Sequence, residues 1–114
     1  ESAMYEGRGV NVALGYGSRA EIARAAEKAA EKAKSEGRAV TERDISEFLY
    51  TAGLPDPDLI IRTGKELRLS NFLLWQGAYA ELYFTDVYWP DFDEGELDRA
   101  LEEFSCRSRR FGHL

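Results

Sequence analysis

The chain has 114 residues, of which 44% are apolar, and this length and composition suit one domain with a buried core. Its net charge of −6 excludes a general nucleic-acid surface, because such surfaces normally carry a basic field. The single cysteine cannot form an internal disulfide, and no apolar run is long enough to span a membrane. We therefore expect a cytoplasmic protein.

The first half of the chain predicts one strand followed by two helices. Residues 10–14, VNVAL, indicate a short buried strand that runs into a glycine turn. Ser18 and Glu21 form an S-x-x-E pattern, which is typical of a capping box at the start of a helix over residues 19–35. The charged residues of this helix are expected to face solvent. A second start signal at Thr41 predicts a shorter helix.

The second half predicts two more strands, each followed by a helix. The apolar run 59–61 is typical of a parallel strand that is buried on both faces. A mostly buried helix is expected over residues 70–79, and a strand over residues 82–84. Asp93 is expected to cap a last helix with Leu97 among its inward-facing residues. This order of elements predicts an α/β fold with a parallel sheet flanked by helices.

A basic loop, RTGKELRLSN, begins at Arg62 and connects the second predicted strand with the third predicted helix. Ligands bind where loops leave the carboxyl ends of parallel strands, and a helix start offers N–H groups to an anion. Arg62 and Arg68 can each hold a phosphate through two parallel hydrogen bonds, and Ser70 can donate to a phosphate oxygen. The loop therefore predicts a diphosphate site. The open alternative is that Ser70 is only an N-cap and that the arginines pair with Glu66 or Asp58.

Three stretches of the sequence share the pattern of one enzyme family. They are VNVALGYGSRAEI at residues 10–22, DPDLIIRTGKELRLSNFLLWQGAYAELYFTDVYWPDF at residues 56–92, and RRFG at residues 109–112. Together they resemble the C-terminal half of the cis-prenyltransferases, the undecaprenyl diphosphate synthase family. The resemblance implies the fold of that family, with only the C-terminal part of its sheet present here.

The resemblance also implies a reaction, a cofactor and a set of site residues. Isopentenyl diphosphate would be condensed with an allylic diphosphate to give a Z-polyprenyl diphosphate. The residues matching the family's isopentenyl diphosphate site are Arg62, Arg68 and Ser70, and Glu81 matches a residue associated with Mg²⁺. Arg110 and Gly112 match a terminal motif that reaches into a neighbouring subunit, which implies a dimer. Peripheral contact with a membrane stays open, and no nucleic acid is expected.

The family pattern includes an N-terminal half that this sequence lacks. That half carries an aspartate in a H-x-x-x-M-D-G-N-G-R-W stretch, which would bind Mg²⁺ and the allylic diphosphate. We expect residues 1–114 to be the C-terminal half of one domain, inactive alone, with the catalytic aspartate in the missing half or on a companion chain. Two alternatives are a non-catalytic diphosphate-binding subunit of a heteromeric prenyltransferase and a phosphate-binding module unrelated to isoprenoids.

Overall fold

Along the described chain, two helices are followed by two strands and then by a last long helix. The structure, a computed structural model, describes residues 9–111 and the side chains of residues 9–107. The elements are α1 (Ser18–Ser35), α2 (Glu42–Glu47), β1 (Leu59–Arg62), β2 (Glu81–Phe84) and α3 (Glu94–Phe111), with a short 3₁₀ helix at Trp89–Asp91. Within these residues, no helix is both long and apolar enough to cross a bilayer.

The two described strands form a parallel pair. Leu59 lies opposite Glu81, and Arg62 lies opposite Phe84. Ile60 of β1 is buried, and its β-branched side chain suits the pleated surface of a strand. α3 packs against β2, and α1 packs against α2. The predicted α/β fold with a parallel sheet flanked by helices is confirmed.

α1 carries a buried stripe of small residues, and α2 begins with a capping box. Ala25, Ala29 and Ala33 recur every four residues, so they share one face of α1, and all three are buried. The predicted start of α2 is confirmed, because the Thr41 hydroxyl accepts a hydrogen bond from the Asp44 amide at 3.2 Å. The Asp44 carboxylate accepts one from the Thr41 amide at 3.0 Å, which completes a capping box.

The predicted strand at residues 10–14 does not form. Val10, Val12 and Leu14 are 65%, 67% and 87% exposed, and the segment pairs with neither strand. A strand needs a neighbour whose N–H and C=O groups complete its hydrogen bonds. In the described part of the chain, β1 and β2 pair only with each other, and residues 10–14 complete no ladder with the free edge of either strand.

The capping box predicted at the start of α1 is wrong. Gly17 is the N-cap and makes no side-chain cap, and Ser18 is the first helical residue. Ser18 and Glu21 are both completely buried, and they bond to distant parts of the chain rather than to each other. A sequence pattern cannot separate a local hydrogen bond from a long-range one.

The helix predicted over residues 70–79 is replaced by a series of turns. The φ angles of Ser70, Asn71 and Leu73 are 51°, 67° and 47°, whereas a right-handed helix requires negative φ. Gly77 allows this segment to approach β1 closely, because a Cβ there would lie 2.8 Å from the Ile60 side chain. Long-range contacts have therefore overridden the local preference for a helix.

α3 begins as predicted, but its buried face is narrower than expected. The Asp93 carboxylate accepts a hydrogen bond from the Glu96 amide at 3.0 Å, so Asp93 caps the helix. Ala100 is completely buried, whereas Leu97 and Leu101 are 39% and 47% exposed. A two-stranded sheet covers only part of an amphipathic helix, which leaves these leucines at its border.

Candidate functional site

The basic loop leaves the carboxyl end of β1, as predicted. The Arg62 carbonyl accepts a hydrogen bond from the Thr85 amide at 3.0 Å, and the Gly64 amide donates to the Val87 carbonyl at 2.8 Å. Gly64 has a φ of 81°, which glycine adopts without strain. These bonds attach the start of the loop to residues 85–87, which follow β2, so the backbone at the start of the loop is anchored.

The structure brings two of the predicted arginines together. Arg62 is half-buried, and its Nη1 donates to the Arg68 carbonyl at 3.0 Å. Arg68 Nη1 lies 3.5 Å from the Glu66 carboxylate, and the Arg68 side chain is 73% exposed. The ion pair with Glu66 was the alternative to a phosphate site. Because exposed ion pairs contribute about 0–1 kcal/mol, this pair leaves Arg68 able to exchange Glu66 for a stronger anion.

Ser70 lies in the same loop but not at a helix start. It is exposed and has positive φ, and no helix begins there. The helix dipole assigned to this position is therefore absent, and the alternative that Ser70 serves only as an N-cap is also wrong. What the loop offers an anion is the two guanidinium groups and the Ser70 hydroxyl.

Glu81 lies on the neighbouring strand, at the opposite end of the parallel pair from Arg62. It is the first residue of β2, paired with Leu59, so three residues of strand, about 10 Å, separate its level from that of Arg62. Its carboxylate is 3.5 Å from Arg107 Nη1, which also donates to the Leu82 carbonyl at 2.7 Å. Hydrogen bonding to Glu103, and then to Glu81, raises the pKa of Arg107.

A magnesium site does not assemble at the loop from the described residues. Mg²⁺ is usually held by one or two carboxylates together with substrate phosphates. Within residues 9–107, no group of three or more His, Cys, Asp or Glu side chains is arranged to hold a metal, and Glu81 faces Arg107. A metal role for Glu81 stays a prediction. Gly112 and the side chain of Arg110 lie outside the described residues.

A buried polar network next to the loop was missed by the sequence reasoning. The Glu21 carboxylate accepts hydrogen bonds from the Tyr16 hydroxyl, from the Tyr50 amide at 2.7 Å and from Gln76 Nε2 at 3.2 Å. Burial, followed by the bond to Glu21, raises the pKa of Tyr16. One signal was available, because Glu21 extends the alanine stripe of α1 by one further step of four residues. That spacing places the carboxylate on the buried face.

An apolar cleft of about 580 Å³ lies beside this network. It is lined by residues 11–15 and by Tyr16, Tyr50, Leu54 and Phe72, among others. The rings of Tyr16 and Phe72 meet edge to face with centroids 5.8 Å apart. The basic residues of the loop do not line the cleft.

The sequence matches the family model of undecaprenyl diphosphate synthase over residues 1–112. The chain belongs to this prenyltransferase family. An isoprenyl transferase of Fusobacterium nucleatum is 55% identical over 103 residues, which make up 90% of this chain and 43% of that protein. An isoprenyl transferase of Listeria monocytogenes is 49% identical over 117 residues, which cover 100% of this chain and 46% of that protein. The family predicted from the sequence is confirmed.

A solved structure shows the same relationship. The lavandulyl diphosphate synthase of Lavandula x intermedia, crystallised with dimethylallyl diphosphate, is 40% identical and superposes with a TM-score of 0.72. The match covers 82% of this chain and 42% of that one. The chain therefore spans less than half the length of the prenyltransferases that it resembles.

Proposed function

We propose that the chain supplies the isopentenyl diphosphate-binding half of a cis-prenyltransferase, which condenses isopentenyl diphosphate with an allylic diphosphate to give a Z-polyprenyl diphosphate. Membership of the family and the isoprenyl transferases among its relatives support the reaction class. One observation carries the assignment of the half-site. The Arg62 side chain donates to the Arg68 backbone carbonyl, within one loop at the carboxyl end of a parallel strand.

The proposed work of the loop is binding and orientation. The two guanidinium groups neutralise negative charge on the diphosphate and hold its oxygens through paired hydrogen bonds, and Ser70 donates a further one. A diphosphate fixed in this way holds the isopentenyl group in one orientation towards its reaction partner. The aspartate-bearing half, with Mg²⁺ and the allylic diphosphate, is proposed to lie outside residues 1–114.

The proposal also assigns a surface of this chain to protein contact. Val10, Val12 and Leu14 are exposed, and residues 11–15 line the cleft. Contiguous exposed apolar surface marks sites of protein contact. We propose that the missing half of the domain covers this surface, either as a companion chain or as part of the same protein. Arg110 and Gly112 are proposed to reach a neighbouring subunit of a dimer. The proposed location is the cytoplasm, with peripheral contact with a membrane.

A prenyl-transfer assay with labelled isopentenyl diphosphate tests this function. The chain alone is expected to make no product, and product is expected when a polypeptide with the aspartate motif is present. Mass spectrometry of the native protein identifies that polypeptide. If the companion proves to be a complete prenyltransferase with unchanged activity in the absence of this chain, the chain is a non-catalytic diphosphate-binding subunit.

Arg62→Ala is the sharpest variant for this assay. Loss of hydrogen bonds from a charged group costs about 1.5–3 kcal/mol, so the KM for isopentenyl diphosphate should rise about 10- to 100-fold. The matched control is Lys65→Ala, because Lys65 is an exposed cation of the same loop. Its KM should change by less than about threefold. An unchanged KM in Arg62→Ala would remove Arg62 from the site.

A further inference from the structure

The first turn of α1 has no cap from its own sequence. Gly17 is the N-cap, and it has no side chain with which to accept a hydrogen bond. The first four amides of a helix have no partner within the helix and need acceptors from elsewhere. Here acceptors come from a segment that lies 52 residues further along the chain.

Asn71 supplies two of these acceptors. Its backbone carbonyl accepts from the Ser18 amide at 2.8 Å, and its side-chain Oδ1 accepts from the Arg19 amide at 2.8 Å. Asn71 thus caps α1 across 52 residues of sequence. Gly17 makes this approach possible, because a Cβ at that position would lie 2.9 Å from Asn71 Nδ2.

A third hydrogen bond joins the same two segments, and in this one the acceptor belongs to α1. The Ser18 hydroxyl, which is completely buried, accepts from the Leu74 amide at 2.9 Å. Ser70, Asn71 and Leu73 all have positive φ, a conformation that non-glycine residues keep only where surrounding contacts hold them. Asparagine tolerates this conformation best among the three. The hydrogen bonds to α1 therefore hold the turn around Asn71 in this conformation.

This turn directly follows the diphosphate residues. Ser70 is the neighbour of Asn71, and Arg68 lies three residues before it. The Arg68 carbonyl is held from the other side by Arg62 Nη1 at 3.0 Å. The short piece of chain that carries Arg68 and Ser70 is therefore fixed at both ends, by β1 and by the first turn of α1.

We propose that Asn71 is a positioning residue for the diphosphate site, which holds Arg68 and Ser70 in place by capping α1. The inference rests on the proposed function, because it concerns the same site. Asn71 itself contacts no diphosphate in this proposal. It acts by keeping the loop in the conformation that is able to bind. When only a fraction of the molecules has that conformation, the apparent affinity for the anion falls by the same fraction.

Calorimetric titration of the whole chain with inorganic pyrophosphate tests the proposal. Asn71→Gly keeps the positive φ and removes the side-chain cap, so the dissociation constant should rise about fivefold to tenfold. Asn71→Asp keeps both the acceptor and the tolerance of positive φ, so it should restore the melting temperature that Asn71→Gly loses, while its negative charge beside Ser70 opposes pyrophosphate binding. Thr41→Gly is the matched control, because it removes the side-chain cap of α2, a helix start that lies away from the loop. Its melting temperature should fall without a change in affinity.

Each outcome decides a separate question. If the unmodified chain binds no pyrophosphate, the proposed function fails. If it binds and Asn71→Gly binds equally well, the positioning role is overturned. If Asn71→Gly does not fold, Gly17→Ala replaces it, because the added Cβ would lie 2.9 Å from Asn71 Nδ2 and would displace the capping side chain. Unchanged affinity in a folded Gly17→Ala would overturn the proposal, and weaker affinity would support it.

Discussion

Glu21 is a buried charged residue in a helix whose neighbouring charged side chains are exposed. It lies in a helix rich in exposed charges, but its own side chain is completely buried. Its carboxylate accepts hydrogen bonds from neutral donors of Tyr16, Tyr50 and Gln76. A buried carboxylate is tolerated when several donors satisfy it. Glu21 therefore ties α1 to the segment that follows the basic loop.

Replacing Glu21 by glutamine should destabilise the protein by about 1–3 kcal/mol, because one of the donors around the carboxylate would then face an amide donor. Urea unfolding at neutral pH measures the change in the free energy of unfolding. Glu27→Gln is the control, because Glu27 is an exposed glutamate of the same helix, and its effect should stay within about 0.5 kcal/mol. Equal effects of the two variants would contradict the buried role of Glu21.

At the scale of elements, the turn between α1 and α2 is held by an ion pair. Arg38 donates to both oxygens of Asp44, at 2.6 and 2.9 Å, and Asp44 also completes the capping box of α2. The hydrogen bonds from Arg38, followed by those from Thr41, hold the pKa of Asp44 well below its usual range. Protonating Asp44 would therefore weaken both the turn and the helix start.

The stabilisation by Asp44 should depend on pH. Since its pKa is lowered in the folded state, the contribution is fully present above the unfolded pKa of about 3.9 and is lost as pH falls below that value. The difference in unfolding free energy between the unmodified chain and Asp44→Asn should shrink between pH 7 and pH 3. Asp98→Asn, at an exposed carboxylate of α3, is the control and should show a small difference at both pH values. A gap for Asp44→Asn that is as large at pH 3 as at pH 7 would contradict this account.

The contact between β1 and the turns after the loop depends on Gly77. A Cβ there would meet Ile60 Cδ1 and the Leu73 carbonyl, both at 2.8 Å, and the carbonyl belongs to the backbone. Gly77→Ala should therefore lower stability by about 1–3 kcal/mol, as measured by thermal unfolding. In Gly95→Ala the added Cβ has room, with its nearest atom at 3.4 Å, and alanine favours the helix. A melting temperature lowered equally by both variants would show that the close contact is not the cause.

The elements that the sequence predicts correctly are those set by local signals. β1 follows from its apolar run, α2 from its capping box, and α3 from the Asp93 cap. The errors lie where distant residues decide the local conformation. Asn71 and Leu74 bond to the first turn of α1, which prevents the predicted helix at residues 70–79. The place of Arg62 and Arg68 in a loop after a strand was predictable from the sequence, and their role in binding stays a prediction, whereas the hydrogen bonds of Asn71 required the fold.

At the scale of the whole molecule, the described sheet is narrow and apolar residues remain exposed beside it. Leu14 is 87% exposed, whereas Ile60 is buried in β1. Leu14→Ser should therefore change the stability of this chain by less than about 0.5 kcal/mol. Ile60→Ala should cost about 2–5 kcal/mol. Urea unfolding of the two variants compares them, and a large cost for Leu14→Ser would mean that residues 10–14 are packed in solution.

We propose that the loop from Arg62 to Ser70 binds the diphosphate of isopentenyl diphosphate. Calorimetric titration of the chain with isopentenyl diphosphate, alongside Arg62→Ala and Lys65→Ala, measures this binding. Saturable binding is expected, which Arg62→Ala should weaken about 10- to 100-fold and which Lys65→Ala should leave nearly unchanged. Equal affinities for the unmodified chain and Arg62→Ala would contradict it.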